Sequence, residues 1–417
     1  MVMPFLMISA EWFWLKKKNK SCHDLAKAWS KGVAILFAVG AVSGTVLSFE
    51  LGLLWPSFME QAGPIIGMPF SLETAAFFLE AIAIGIYLYG WDRISPRLHL
   101  ASGFLVGLAG ISSGIIVISA NSWMNSPAGF EWVNGTAIHI DPLKAIFNKA
   151  WFSEATHMTL AAFSATGFAV AGIHAFFLRR NPKNSFHRYA LGIALSLAVV
   201  ASLLQPFSGD LSARDIARRQ PLKLAAAESL FKTQKAAPIL IGGIPDMKTQ
   251  ESHYGIEIPA LLSFLAFDDV EAEVKGLDAF PRENWPPIPV VHYAFQIMVG
   301  IGSFLAGVSL LILFLFLFKR TFLFRRAFLG LLAFCTPLGF IALEAGWVVT
   351  ETGRQPWILY EILKTKDSLT PMPGLIYPFL GITMTYIFLS LAVFFLMLRQ
   401  FKSISGNGFG SVKERPL

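Results

Sequence analysis

Cysteine is nearly absent from this chain: Cys22 and Cys335 stand alone in 417 residues. Two isolated thiols cannot supply a CxxCH attachment motif, a zinc site or a disulfide framework. Charge is scarce too, at 15% of residues against about 25% in an ordinary soluble chain. The formal charge of +7 would suit a nucleic-acid surface, but the Lys and Arg sit in short clusters between apolar segments, which excludes that reading. Also missing at the start, MVMPFLMISAEWFWLKKKNK, is the n-region, h-region and small-residue order of a signal peptide. These residues read instead as the tail of a membrane helix running into a basic loop. No internal repeat is evident, and the polar tail SISGNGFGSVKERPL is the one low-complexity segment.

What the chain has is apolar length, with 54% hydrophobic residues and a mean hydropathy of +0.57. A hydrocarbon core about 30 Å thick needs about 20 apolar residues per helix, and lipid offers the backbone no partner. The runs predict spans at 31–52, 71–91, 99–120, 154–178, 187–206, 289–318, 327–350 and 373–398. The expected fold is an all-α integral membrane protein, a polytopic helical bundle of eight full transmembrane helices plus an N-terminal remnant. Under strict alternation the basic clusters at Lys16 to Lys20, Arg93 to Arg97, Arg179 to Arg188, Lys319 to Arg326, and Arg399 with Lys402 share one end. The positive-inside rule makes that end cytoplasmic.

The chain then divides into a remnant and basic loop (1–30), a helical bundle (31–206), an outward-facing loop (207–288), a second bundle segment (289–398) and a polar cytoplasmic tail (399–417). The connections 53–70, 121–153 and 351–372 also face outward. The loop of about 80 residues exceeds ordinary connection lengths and reads as functional. Within it, QPLKLAAAESLFK places Pro221 at a first helical position and spaces Glu228 and Lys232 as an i,i+4 pair. Gly40 and Gly44 form a GxxxG, read as close helix packing.

Ionisable groups inside spans cost several kcal/mol unless paired or liganded, so each is a functional candidate. Glu73 and Glu80, in SLETAAFFLEAIAIG, share a helix face about 10 Å apart along the axis. They suit proton transfer or a metal centre; for Glu73 an interfacial position is the plainer alternative. His157 precedes small residues, Ala161, Ala162, Ser164 and Gly167, that would let a flat macrocycle approach; an interhelical hydrogen-bonded histidine is the alternative. His174, beside Arg179, reads as interfacial. Met298 alone would be packing, but the topology puts it at the depth of His157, and His/Met is an axial set for a low-spin haem. Glu344 is a lone carboxylate in an apolar helix, costly unless a cation such as haem iron stabilises it. Arg354, in the turn GRQPW, either neutralises a buried propionate or belongs to an aromatic-belt turn.

Taken together, FFLEAIAIGIYLYGWDR, ISANSWMNSPAGF, the His157 helix, QPLKLAAAES, FQIMVGIG and EAGWVVTETGRQPW occur in an order in which the chain resembles subunit I of the cytochrome bd quinol oxidases, from about residue 30 onward. The resemblance implies a quinol:oxygen oxidoreductase in the bacterial inner membrane. It would oxidise quinol at the outer face, reduce dioxygen to water and generate a proton motive force. It implies a low-spin haem b held by His157 and Met298, a high-spin haem b and a haem d with Glu344 ligating one of that pair, and Glu73 and Glu80 in proton delivery. Lys223 and Glu228 would lie in the quinol-oxidising loop. Implied partners are a subunit II, with a small single-helix subunit as a further candidate, membrane quinol, dioxygen and the lipid bilayer, and no nucleic acid.

Two departures stand out. Gln296 occupies a position two residues before the methionine where the family often carries an arginine near the low-spin haem. The family also opens with a helix whose histidine ligates a high-spin haem, whereas here no histidine precedes His23. The expectation is a first helix lost to a start codon assigned too far downstream. Two other readings stay open: a degenerate haem b electron-transfer protein, and an ion-coupled secondary transporter motivated by the intramembrane glutamates.

Overall fold

Short polar side chains start the long helices at one end of the molecule. Asn19, Ser95 and Asn184 each accept a backbone N–H two or three residues ahead, from Ser21, Leu98 and His187, which satisfies donors a helix start leaves free. The computed structural model describes residues 1–133 and 135–405; the expected tail therefore lies outside the described residues from position 406 on. Along the chain run α1 (Met3–Lys17), α2 (Lys20–Leu54), α3 (Pro56–Tyr89), α4 (Pro96–Asn125), α5 (Pro142–Ile146), α6 (Trp151–Arg180), α7 (Ser185–Arg219), α8 (Pro221–Glu228), α9 (Leu261–Phe267), α10 (Ile288–Phe318), α11 (Arg326–Phe334), α12 (Leu338–Thr352) and α13 (Ile376–Ser405). Among the described residues, α2, α3, α4, α6, α7, α10, the α11–α12 pair and α13 are long and apolar enough to cross a membrane. The expected bundle of eight spans is what the chain forms, preceded by the short helix α1.

Several boundaries differ from expectation for local reasons. Helix α3 starts at Pro56 and absorbs most of the connection expected at 53–70, because proline suits a first helical turn. Helix α7 passes Pro206 and continues to Arg219. Its extension is supported by i,i+4 ion pairs, Asp210 to Arg214 at 2.9 Å and Asp215 to Arg219 at 3.1 Å. The span expected at 327–350 is interrupted between α11 and α12 at Pro337, which brings no N–H to a helical ladder. Pro221 does open α8, but that helix stops at Glu228 with Ser229 left-handed at φ 55°. The expected Glu228–Lys232 pair therefore does not form.

Close helix approach occurs elsewhere than at the GxxxG. A Cβ on Gly40 or Gly44 would meet nothing within 4 Å, whereas one on Gly167 of α6 would lie 2.7 Å from Ala198 of α7. The core gathers Leu6, Trp29, Phe168, Ala194, Leu329 and their neighbours from α1, α2, α6, α7, α10 and α11.

Cross-contacts tie the five basic clusters together. The Asn19 amide donates to the Tyr189 hydroxyl at 3.0 Å. Lys27 lies over the Trp91 ring at 5.0 Å, and Arg188 over Phe324 at 4.1 Å. Gln400 donates to the Ala28 carbonyl at 2.9 Å. All five clusters thus sit at one end, as the alternation requires. The opposite end carries the 207–288 segment, which includes an antiparallel hairpin of Ile239–Asp246 with Glu251–Ile258.

Candidate functional site

At the end away from the basic clusters, four helices deliver polar side chains to one point. The hub is Asn125, the last residue of α4 and 3% exposed. Its Oδ1 accepts from Lys223 Nζ of α8 at 2.9 Å, from Arg354 Nη1 beyond α12 at 3.3 Å and from Gln220 Nε2 at 3.4 Å. Its Nδ2 donates to Asn121 Oδ1 at 3.1 Å and to Glu154 Oε1 of α6 at 3.2 Å. Arg354 Nη2 donates to Glu351 Oε2 at 2.6 Å, and Asn121 Nδ2 donates to the other oxygen of Glu351. Two buried cations, Lys223 and Arg354, thus meet on one amide oxygen, with Glu154 on the nitrogen of the same amide and Glu351 paired directly with Arg354.

Burial sets the chemistry of the loop residues. Desolvation, with Arg354 nearby, pulls the Lys223 ammonium down to about 7, opposed by Glu154 and Glu351. Burial pushes Glu228 up to about 7, opposed by the Leu240 amide. One Glu228 oxygen, Oε2, and the Arg354 Nε have no hydrogen-bond partner among the described residues. A base and an acid that both exchange protons near neutrality, on one eight-residue helix, are suited to taking protons from a substrate.

A second cluster surrounds His157. Its Nδ1 lies 3.1 Å from Ser208 Oγ of α7, and Gln205 Nε2 sits 3.2 and 3.3 Å from the two ring nitrogens while donating to the His157 carbonyl at 3.3 Å. The Gln205 Oε1 is buried and without a hydrogen-bond partner among the described residues. On the neighbouring helices, Met298 of α10 lies against Gly346 of α12, where an added Cβ would stand 3.1 Å from the sulfur. A soft thioether over a glycine and an imidazole held by a serine are a donor set that fits haem iron.

The remaining candidates are dispersed. Glu73 accepts from Ser113 Oγ of α4 at 3.0 Å, and a Cβ on Gly110 would lie 3.2 Å from Glu80 Oε1, so both glutamates face α4. Glu344 is exposed on α12 and has no hydrogen bond or ion pair among the described residues. Gln296 uses both ends of its amide on the hairpin, donating to Leu240 O at 2.7 Å and accepting from Gly242 N at 3.0 Å. His174 is buried near the basic end, its Nδ1 2.8 Å from Nδ1 of His187 on α7. His23 lies at the basic end against Trp14 and Trp91.

Sequence reasoning passed over Asn121, Asn125, Glu154, Gln220 and Glu351. Two asparagines four apart at the end of an apolar run, in ISANSWMN, were the available signal, because amides at that spacing share a helix face.

Comparison with known proteins gives a consistent picture. Residues 1–404 match the family model described as cytochrome bd terminal oxidase subunit I. The chain is 37% identical over 407 residues to a putative cytochrome bd menaquinol oxidase subunit I of Bacillus subtilis (strain 168), covering 96% of this chain and 91% of the relative. It is 31% identical over 413 residues to cytochrome bd ubiquinol oxidase subunit 1 of the same organism, covering 95% and 88%. The solved structure of bd oxidase from Geobacillus thermodenitrificans superposes with a TM-score of 0.90 at 37% identity, covering 96% of this chain and 93% of that one.

Proposed function

Because the chain belongs to the cytochrome bd terminal oxidase subunit I family, we propose that it is the haem-bearing subunit of a quinol:oxygen oxidoreductase in a bacterial inner membrane. It oxidises membrane quinol at the end opposite the basic clusters and supports reduction of dioxygen to water with generation of a proton motive force. The observation that carries this reading is the convergence of Lys223 and Arg354 on Asn125, which brings the 207–288 segment into a buried charged cluster at the tip of the bundle.

In this reading Glu228 and Lys223 take the quinol's protons as its electrons leave. His157 and Met298 hold a low-spin haem b; a high-spin haem b and a haem d complete the set. These groups supply the one-electron and oxygen chemistry that side chains lack. Arg354, with its unpartnered Nε, neutralises a propionate. On α12, Glu344 and Glu351 are seven residues apart and therefore on one face. A ligating carboxylate is usually held by further hydrogen bonds; Glu351 has them from Asn121 and Arg354, so we favour it over Glu344 as the high-spin haem carboxylate. Gln296 is given the role of pinning the hairpin to α10. Glu73 and Glu80 deliver protons along the α3–α4 seam. The lipid-exposed stretch of α2 around Gly40 and Gly44 leaves a face for subunit II, with a small single-helix subunit as a further partner.

Membranes carrying this subunit with its partner are expected to show reduced-minus-oxidised haem b and haem d bands and quinol-dependent oxygen uptake. Well-assembled protein without a haem d band would overturn the reading. A haem-free preparation would point to a transporter instead.

A further inference from the structure

At the basic end of the α3–α4 seam lies a buried acid–base pair that the site above does not use. Glu11 of α1 is 1% exposed, His99 of α4 is 4% exposed and Tyr87 of α3 is fully buried. His99 Nε2 stands 2.9 Å from the Tyr87 carbonyl oxygen. A carbonyl only accepts, so this nitrogen carries a hydrogen. His99 Nδ1 stands 2.7 Å from Glu11 Oε1, and two heteroatoms at that distance in a dry interior need one hydrogen between them. The pair therefore stores one proton, written equally as imidazolium with carboxylate or as imidazole with carboxylic acid.

Two polar atoms beside this store are left open. Glu11 Oε2 and the Tyr87 phenol oxygen are buried near one another, and among the described residues neither makes a hydrogen bond of full geometry. Tyr87 follows Glu80 by seven residues, and Glu80 follows Glu73 by seven, so the three lie on one face of α3 in steps of about 10 Å. That face meets α4: a Cβ at Gly103 would lie 2.7 Å from the Tyr87 ring, one at Gly110 would lie 3.2 Å from Glu80 Oε1, and Ser113 bonds Glu73. Towards the surface, the Trp91 ring covers His99 at 4.2 Å. Lys27 lies over Trp91 at 5.0 Å, and His23 lies beside it at 5.3 Å, with Asp24 3.6 Å from His23.

We propose that Glu11 and His99, with Tyr87, form the proton-loading station at the basic end of the α3–α4 seam that feeds Glu80 and Glu73. The proposal rests on the oxidase reading, because making water from dioxygen consumes protons. The pair gives its shared proton to the seam through the Tyr87 hydroxyl and intervening water, leaving a carboxylate and a neutral imidazole. It regains a proton from water at the rim formed by His23 and Asp24. No electron moves and no bond other than O–H and N–H is exchanged. Nature's alternative use of such a pair, as a static clamp between α1 and α4, would leave proton kinetics unchanged when conservatively replaced.

The test uses the complete oxidase complex in liposomes, with Glu11→Gln, His99→Gln and Tyr87→Phe. Haem spectra establish assembly, and a pH dye reports proton uptake during quinol-driven oxygen reduction. In assembled Glu11→Gln and His99→Gln complexes, proton uptake and oxygen consumption are expected to slow about 100-fold, while anaerobic haem reduction by quinol keeps its rate. A raised solvent isotope effect on turnover is expected in the same variants. Wild-type proton uptake in either one would overturn the proposal. If neither assembles, Tyr87→Phe decides by the same measurements, since it removes a single oxygen. Wild-type complex that consumes no oxygen with quinol would instead sink the oxidase reading and leave the loading station without a purpose.

Discussion

Lys223 Nζ donates a 2.9 Å hydrogen bond to Asn125 Oδ1, joining a residue of the long loop to the last residue of a membrane helix. That bond puts a buried ammonium at the centre of the polar cluster, where loss of solvation lowers the Lys223 pKa.

Quinol oxidation should accelerate as pH rises through about 7, where Glu228 loses its proton and becomes a base. Glu228→Gln is expected to flatten that limb and to lower kcat about 100-fold, read from initial rates across pH 5.5 to about 8.5 with a soluble quinol. A variant that keeps the limb would remove Glu228 from the reaction.

Stability has its own pH signature. Glu228 binds its proton more tightly folded than unfolded, with about 7 against 4.5, so its contribution to stability is present at low pH and is lost as pH rises through that window. Lys223 binds its proton less tightly folded, with about 7 against 10.5, so stability recovers as pH rises from 7 towards 10.5. The apparent Tm in detergent should therefore dip near neutrality, and Lys223→Met should erase the recovery above it.

Met298→Leu should abolish the low-spin haem spectrum while the chain still inserts, because leucine fills the place beside Gly346 without offering a lone pair. An unchanged spectrum would refute the assignment.

The two carboxylates of α12 are separable. Glu351→Gln is expected to diminish the high-spin haem signal more than Glu344→Gln does, since Glu351 alone is oriented by neighbours. The reverse order would return the role to Glu344.

Glycine replacements distinguish packed from open helix faces. Gly167→Ala should lower stability by about 1–3 kcal/mol, because its methyl meets the Ala198 backbone. Gly40→Ala should leave thermal unfolding of the isolated chain unchanged.

The spans were legible in the sequence because lipid enforces helices over any long apolar run, and the common end of the basic clusters followed from alternation. The boundaries were less legible. Hydropathy cannot see that Asp210 to Arg219 extends α7 by ion pairs, nor that Pro56 starts a helix at the end of an apolar run. At the site, Lys223 and Arg354 stood out as charges, but the residue that joins them is an amide. Asn125 is uncharged, Glu154 and Glu351 sit at span ends where carboxylates are common, and each has at least one partner more than 25 positions away in the chain. Glu11 shows the same limit: beside Lys16 to Lys20 it reads as one more interfacial charge, until folding places His99 against it.

The extension of α7 has a mechanical consequence. From Gln205 to Arg219 the helix rises about 21 Å, a single stiff rod. Its lower part grips the His157 ring through Gln205 and Ser208, and its tip carries Gln220, which is bonded to Asn125. A rod held at both places transmits tilt, so a shift of the loop cluster at Asn125 is expected to turn the His157 imidazole. Occupancy at the tip and orientation of the proposed haem ligand are thereby geared to one another, with no separate messenger between them.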